Sequence, residues 1–394
     1  MQKDESITYS DSTATIASAI PAFAKRGDLL LIDSRANYGI MSGARLSRSS
    51  ITLFRHNDLI DLRRKLEEVR ERDGKNKNAN QARRFIVVEG LYYGTGDICP
   101  LDKINDLARE FKWRIICDDS WGFGVLGATG KGITEHFGKP ISDKKGETET
   151  QLMHVEILVG SLSTTLASVG GFCVGSREVV DHQRLSGQGY CFSASAPPFT
   201  CATAAAALKG MQDKPSLLST LKTKSKFLQD ELLKSLDGIM ILTSDPISPI
   251  KHLIFPPKLR EPVSPILSGI STSHLSNVSE VSGHRSSSSS TLSSQDGSLS
   301  FLPSNKQIER EAQRVLEVEE GRLDRIVTHA CSVGNVLISR SHRTSSDNKT
   351  TGPPSIRVLV TALHTEAELK AVAQAIKNAV KAISSEEDKS KNRI

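Results

Sequence analysis

No apolar run in these 394 residues approaches the roughly 20 needed to cross a bilayer as a helix, and Met1 to Ser6 is too polar for a secretory signal. The six cysteines, Cys99, Cys117, Cys173, Cys191, Cys201 and Cys331, contain no C-x-x-C pair. Zinc and disulfide frameworks are therefore not indicated, and reduced, packed thiols are expected. Aromatic residues are scarce, at 5%, and basic residues are interleaved with acids, as in Arg63-Arg64-Lys65 ahead of Glu67-Glu68. The net charge of +6 is thus not gathered into the basic stripe that binds nucleic acid. A further absence is local: no lysine occurs between Glu156 and Gly175. In that window the apolar run Ile157-Leu158-Val159 opens into a Gly/Ser/Thr loop that ends at Gly170-Gly171. Such a pattern reads as a buried strand that delivers a small-residue loop to the top of an α/β sheet, where ligands bind.

What is present is a long alternation of strands and helices. Strands are expected at residues 29–33, 51–54, 85–88, 114–117 and 157–159. Helices are expected at residues 7–24, entered through a Ser/Thr cap, and at 38–47. Two more carry apolar stripes, Leu59, Leu62, Leu66 and Val69 in one and Leu101, Ile104, Leu107 and Phe111 in the other. Continuous apolar strands between helices argue a parallel sheet buried on both faces. The polar residues 71–83 read as a surface loop. Beyond Pro198 an Ala-rich segment and a helix with Leu217, Leu221, Leu228 and Leu232 lead to strands at residues 239–242 and 252–255. Residues 256–305 are Ser-rich and too poor in apolar surface to offset chain entropy, so they read as a disordered insertion. A helix over 308–333 and strands at 335–339 and 356–361 follow. The last helix has the capping box Thr365 to Glu368 and a stripe of Leu369, Val372, Ile376, Val380 and Ile383, before a charged tail.

Four stretches carry a resemblance: the loop at residues 157–171, Arg84 to Gly90, Gly122 to Gly127, and above all the run from Asp181 through Gly187-Gln188-Gly189-Tyr190-Cys191-Phe192-Ser193-Ala194-Ser195 to Pro198. Together they resemble the α-oxoamine synthases, fold-type I enzymes that use pyridoxal phosphate, and within them the lysine-less branch of the serine palmitoyltransferases. The resemblance covers residues 7–255 and, more weakly, 313–383. It implies an α/β chain with a large domain, a mostly parallel sheet flanked by helices, at residues 1–212, and a small C-terminal α+β domain at 213–255 and 306–385. Residues 256–305 would interrupt the small domain, and 386–394 would be the tail. That branch also carries a membrane helix and an arm ahead of the stretch matching Ile7, so the chain is expected to be N-terminally short.

The same resemblance assigns the site. Thr164 falls at the position of the lysine that forms the Schiff base, Trp121 and Asn37 replace two histidines, and Asp11 lies where a phosphate glycine is expected. Asp118 falls at the acid that faces the pyridine nitrogen, and it can equally be an ordinary loop-capping acid. Trp121 is expected to fill the emptied cavity, and Lys131, in the turn Gly130-Lys131-Gly132, to be a solvated turn residue. Ser193 and Ser195 match hydroxyls that reach a partner subunit's cofactor phosphate, or else cap the helix after Pro198. Arg357 matches a carboxylate-binding arginine, or is structural. No catalytic residue and no metal site is expected on this chain. Pyridoxal phosphate would be held by the lysine of a second subunit, and the complex would sit on the cytosolic face of the endoplasmic reticulum membrane. The competing reading is a self-sufficient acyl-CoA transferase with an atypical site.

Overall fold

In a computed structural model the chain is described for residues 5–74, 82–142, 148–256, 305–341 and 353–391. Most of the Ser-rich stretch expected to be disordered lies outside these residues.

Seven strands form the principal sheet. They are β1 (Glu5–Tyr9), β2 (Leu29–Asp33), β3 (Ser50–Phe54), β4 (Arg84–Glu89), β5 (Arg114–Asp118), β8 (Ile157–Ser161) and β9 (Gly171–Gly175), in the order β1-β9-β8-β5-β4-β2-β3. The pairs from β3 to β8 are parallel, whereas β9 is antiparallel to both β8 and β1. Side chains alternate across it. Leu31, Ile86, Val88, Ile115, Cys117 and Leu158 meet Leu62 and Leu66 of α3 (Leu59–Gly74) and Leu101, Ile104 and Leu107 of α4 (Leu101–Phe111). Leu30, Ile32, Phe85, Val87, Ile116 and Val159 meet Ile16 and Ile20 of α1 (Ser12–Phe23), Ile40 and Ala44 of α2 (Tyr38–Ser47) and Val180 of α6 (Arg177–Ser186). Burial on both faces explains why these strands read as continuous apolar runs. A hairpin of β6 (Lys139–Ser142) and β7 (Thr148–Gln151) and the one-turn α5 (Ile133–His136) lie between β5 and β8 in sequence.

The second sheet has the order β10-β11-β13-β12, from β10 (Ile241–Leu242), β11 (Ile250–Ile254), β12 (Ser339–Arg340) and β13 (Ile356–Leu359). Leu253, Ile356 and Val358 pack on Leu228 and Leu232 of α9 (Ser216–Leu236), Leu323 and Ile326 of α10 (Asn305–Ser332), and Leu369, Ile376 and Val380 of α11 (Glu366–Lys391). The capping box is formed, with Thr365 N–H donating to Glu368 at 2.7 Å and Glu368 N–H to Thr365 Oγ1 at 3.2 Å.

Several expectations need correction. The first segment is a strand and a helix, because Ile7 and Tyr9 are buried against β9 while their neighbours face out. The cap of α1 is Asp11, whose carboxylate accepts from Ala14 N–H at 2.7 Å. Strand β9 was not expected, since the glycines at both ends leave only Phe172, Cys173 and Val174 as an apolar run. Helix α3 continues to Gly74, β12 is only two residues long, and the charged tail is the last part of α11, where Glu387 pairs with Arg322 at 3.1 Å. All six cysteines are free, with Cys191 and Cys201 exposed.

The loop after β4 joins the two sheets. Thr95 C=O accepts from Ser244 Oγ at 3.0 Å, Asp245 N–H donates to Gly96 C=O at 3.2 Å, and His252 Nε2 meets Tyr93 C=O at 2.9 Å. Gly96 has φ +78°, and a Cβ there would lie 2.3 Å from Ile250 O and 2.4 Å from Ser244 Oγ. Gly96→Ala should therefore destabilise the fold, seen as a lower urea midpoint, by at least the roughly 1–3 kcal/mol that left-handed backbone costs a residue with a side chain. An unchanged midpoint would show that the joint yields freely.

Candidate functional site

The strands of the principal sheet that run parallel end on one edge, and that edge is acidic: Asp33 closes β2, Glu89 closes β4, and Asp118 and Asp119 follow one another at the end of β5. All four are buried, in the place where ligands of open α/β sheets bind.

Asp118 Oδ1 accepts from Ser120 N–H at 3.1 Å and Ser120 Oγ at 2.6 Å, and its Oδ2 accepts from Asn37 Nδ2 at 2.9 Å. Burial raises its pKa, against these hydrogen bonds. Asn37 also caps α2 by accepting from Ile40 N–H at 3.0 Å, and its own N–H donates to Glu89 Oε1 at 2.7 Å. Glu89 is pushed well above the usual carboxylate range, chiefly by burial and then by the Asp118 charge. Asn37 thus links the two acids rather than facing a ring.

Thr164 is tied into the same wall, with its hydroxyl donating to Ser120 C=O at 2.7 Å. The loop around it satisfies itself. Ser12 Oγ lies 2.8 Å from Ser161 Oγ and 3.0 Å from Ser163 Oγ, and donates to Gly170 C=O at 2.5 Å. Trp121 stacks on Tyr93 with centroids 4.8 Å apart, and the Arg357 guanidinium carbon lies 4.5 Å from the Tyr93 centroid. Burial lowers the Arg357 pKa, and its Nε has no hydrogen-bond partner among the described residues. Lys131 stands in its turn, with its N–H on Glu135 at 3.0 Å.

These residues do not fit a covalently held pyridoxal phosphate. At the positions the resemblance assigns, the Thr164 hydroxyl is engaged, each Asp118 oxygen already receives a donor, and the Asp11 carboxylate caps the N-terminus of α1. No group of three or more His, Cys, Asp or Glu placed to hold a metal ion occurs among the described residues.

Ser193 and Ser195, past the one-turn α7 (Gln188–Cys191), are both exposed, and Ser193 Oγ is 3.2 Å from Ser10 Oγ. Neither caps the following helix, α8 (Pro198–Asp213), whose N-cap is Pro197 with no side-chain hydrogen bond. The structure therefore groups Asp118, Asn37, Trp121 and Thr164 together and leaves the two serines on the outer face.

Sequence reasoning missed the cluster around His56. His56 Nδ1 lies 2.9 Å from Asp33 and Nε2 3.1 Å from Asp97, while Asp33 also accepts from Arg35 and Asn57 N–H. Burial opposes a charge on the ring, but the two aspartates outweigh it and raise the pKa to about 9. The legible signal was Asp33 at a strand end, followed in space by His56 just past the next strand.

The profile of the aminotransferase class I and II family matches residues 1–254. A Dictyostelium discoideum protein called serine palmitoyltransferase 1 is 43% identical over 255 residues, 64% of this chain and 50% of that protein. The Saccharomyces cerevisiae protein of the same name is 31% identical over 386 residues, 98% of this chain and 63% of that protein. A rice protein, long chain base biosynthesis protein 1b, is 40% identical over 249 residues, 63% of this chain and 48% of that protein. The chain thus spans about half the length of several curated relatives it matches. Among solved structures, the serine palmitoyltransferase of S. paucimobilis with a bound PLP-myriocin aldimine gives a TM-score of 0.67 at 18% identity, over 97% of this chain and 74% of that one. The enzyme of Sphingomonas wittichii gives 0.65 at 20%, with the same coverage. At such identity the likeness establishes a shared fold, that of pyridoxal phosphate-dependent enzymes.

Proposed function

The chain belongs to the aminotransferase class I and II family, and on that footing we propose that it is a non-catalytic subunit of a serine palmitoyltransferase. In this reading the complex condenses L-serine with palmitoyl-CoA to 3-ketosphinganine, the entry into sphingolipid synthesis. A second, lysine-bearing subunit holds the pyridoxal phosphate and supplies the Schiff base. The observation that carries the reading is Thr164, bonded to the Ser120 carbonyl, at the position the resemblance gives to the lysine. The names of the relatives support the reaction, and the self-satisfied hydroxyl loop supports a cleft without chemistry of its own. The cytosolic face of the endoplasmic reticulum membrane is the proposed location. No helix among the described residues is long and apolar enough to cross a membrane.

Asp118 is then a vestigial acid that organises the wall through Ser120 and Asn37, and Ser193 and Ser195 are donors turned outward toward the partner's phosphate. The decisive experiment is to rebuild the complex from this chain and its lysine-bearing partner. Activity should require both. Ser193→Ala combined with Ser195→Ala should weaken cofactor binding by the complex, by roughly 1.5–3 kcal/mol for each hydrogen bond to phosphate that is lost. Activity in the isolated chain would overturn the proposal, and superimposable cofactor titrations of parent and variant complexes would remove the serines from it.

A further inference from the structure

Lys251 is buried to 0% exposure on the face of β11 that it shares with Leu253, beneath α9. Its Nζ donates to Gln229 Oε1 at 2.8 Å, to Asp245 C=O at 2.9 Å and to Pro246 C=O at 3.0 Å. All three acceptors are neutral oxygens. An ammonium taken out of water with its hydrogen bonds made, but with no carboxylate bonded to it, is held at a cost in free energy. Burial accordingly lowers its pKa to about 7, against the through-space attraction of Asp245 in the turn and Asp230 on α9. Val358, its neighbour on β13, carries no charge.

The two carbonyls belong to the turn that meets the principal sheet. Ser244 and Asp245 hold Thr95 and Gly96 as described above, and Thr243 Oγ1 adds a contact of 3.3 Å to Thr95 C=O. Pro246 is exposed and Asp245 half-buried, so the turn is a thin cover between Nζ and solvent. Swung away from Gly96, it would take two of the three acceptors with it and admit water. The ammonium gains most from that change.

We propose that the joint between the two sheets is proton-linked: it opens with uptake of a proton at Lys251, so that acidification loosens the second sheet against the principal one. The candidate site is affected because Arg357, on β13, lies over Tyr93 of the principal sheet. The device belongs to this chain alone and does not rest on the function proposed above. Its sign follows from the lowered pKa: the closed joint is favoured fully above the ordinary value of 10.5, and that advantage is lost as pH falls through 7. His252, on the other face of β11, meets Tyr93 C=O at 2.9 Å and Ser355 Oγ at 2.8 Å across the same joint. Burial lowers its pKa to about 4, so it acts in the same direction in a separate window, below 6.5. His56 does not enter, because Asp33 and Asp97 both lie on the principal-sheet side and stay with it.

The test is amide hydrogen exchange of the full chain between pH 5 and 9, corrected for the intrinsic rate and read in peptides spanning residues 93–97 and 243–252. Protection there should rise roughly 50-fold from pH 7 to pH 9, the proton linkage expected of a group that moves between pKa values of 7 and 10.5. In Lys251→Met that rise should vanish, while the dependence below pH 6.5 carried by His252 remains. A flat parental profile above pH 7, or an equal rise in parent and variant, overturns the proposal. Should Lys251→Met fail to fold, the parent alone decides. A rise confined to the two joint peptides supports proton-linked opening, and one shared equally by β4 and β5 assigns the proton to global unfolding and overturns it.

Discussion

Purified Thr164→Lys should not recover a cofactor spectrum: pyridoxal phosphate added to it, or to the parent chain, should give no visible aldimine band, and borohydride should trap no pyridoxyl-lysine at this position. The reason lies in what surrounds residue 164 rather than in the residue itself. A lysine would lose the Thr164 bond to Ser120 C=O and enter a wall already closed by Ser12, Ser161 and Ser163. Opposite it, both Asp118 oxygens carry donors, and Trp121 lies against Tyr93. If the phosphate lies at the α1 N-terminus, as proposed from the resemblance, the Asp11 carboxylate there would repel the dianion. Preorganised charge and hydrogen bonds supply much of the rate in such sites, and losing one donor alone costs about 100-fold or more. Turnover should therefore stay at background even in the rebuilt complex with the lysine-bearing partner's own lysine removed. A trapped adduct at residue 164, together with turnover, would show that the cleft is competent and that only the nucleophile had been lost.

His56→Ala should be the most destabilising substitution on the acidic edge. It leaves Asp33, which has no exposed side-chain surface, without its ring partner. Stripping one member from a buried pair costs about 3–5 kcal/mol. The lower end applies, because Asp97 is 29% exposed and water can take over its charge, and because Asp33 keeps the N–H groups of Arg35 and Asn57. The parent chain should also show a pH signature. The folded pKa of His56, about 9, lies above the ordinary 6.5, so the folded state holds the proton more tightly. Its contribution is complete below pH 6.5 and is lost as pH rises through 9, a fall of roughly 3 kcal/mol at 1.36 kcal/mol per unit. Denaturation profiles between pH 6 and 10 would measure this slope, which His56→Ala should lack. Equal slopes in the two proteins would assign it to another group.

Much of the sheet could be read from the chain. Leu29 to Asp33, Phe85 to Val88 and Ile157 to Val159 are apolar without interruption because both faces are covered, and that signal survives in sequence. Strands β1 and β9 could not be read, since β1 takes its identity from pairing with a segment far away, and β9 has only three side chains between its two glycines. At the site, Thr164, Asp118 and Trp121 were singled out only by the resemblance, each from within one short stretch of sequence. The Asn37 bridge between Glu89 and Asp118 was not, because it joins three elements that only the parallel order of the strands brings side by side. The Tyr93 stack depends in the same way on β13 reaching over from the second sheet.

The partnership of β1 with β9 also sets a timetable. Glu5 pairs with Gly175, so during synthesis the first strand emerges and must wait until some 170 further residues have followed. At 5–20 residues per second that delay is on the order of ten to thirty seconds, far longer than a hairpin takes to close. Throughout it Ile7 and Tyr9 have no strand to cover them, and when β9 does emerge its outer edge stands open until β1 returns. A ribosome-bound chain of this protein would therefore be most exposed to edge-to-edge aggregation late in translation, at the far side of the sheet from where assembly began.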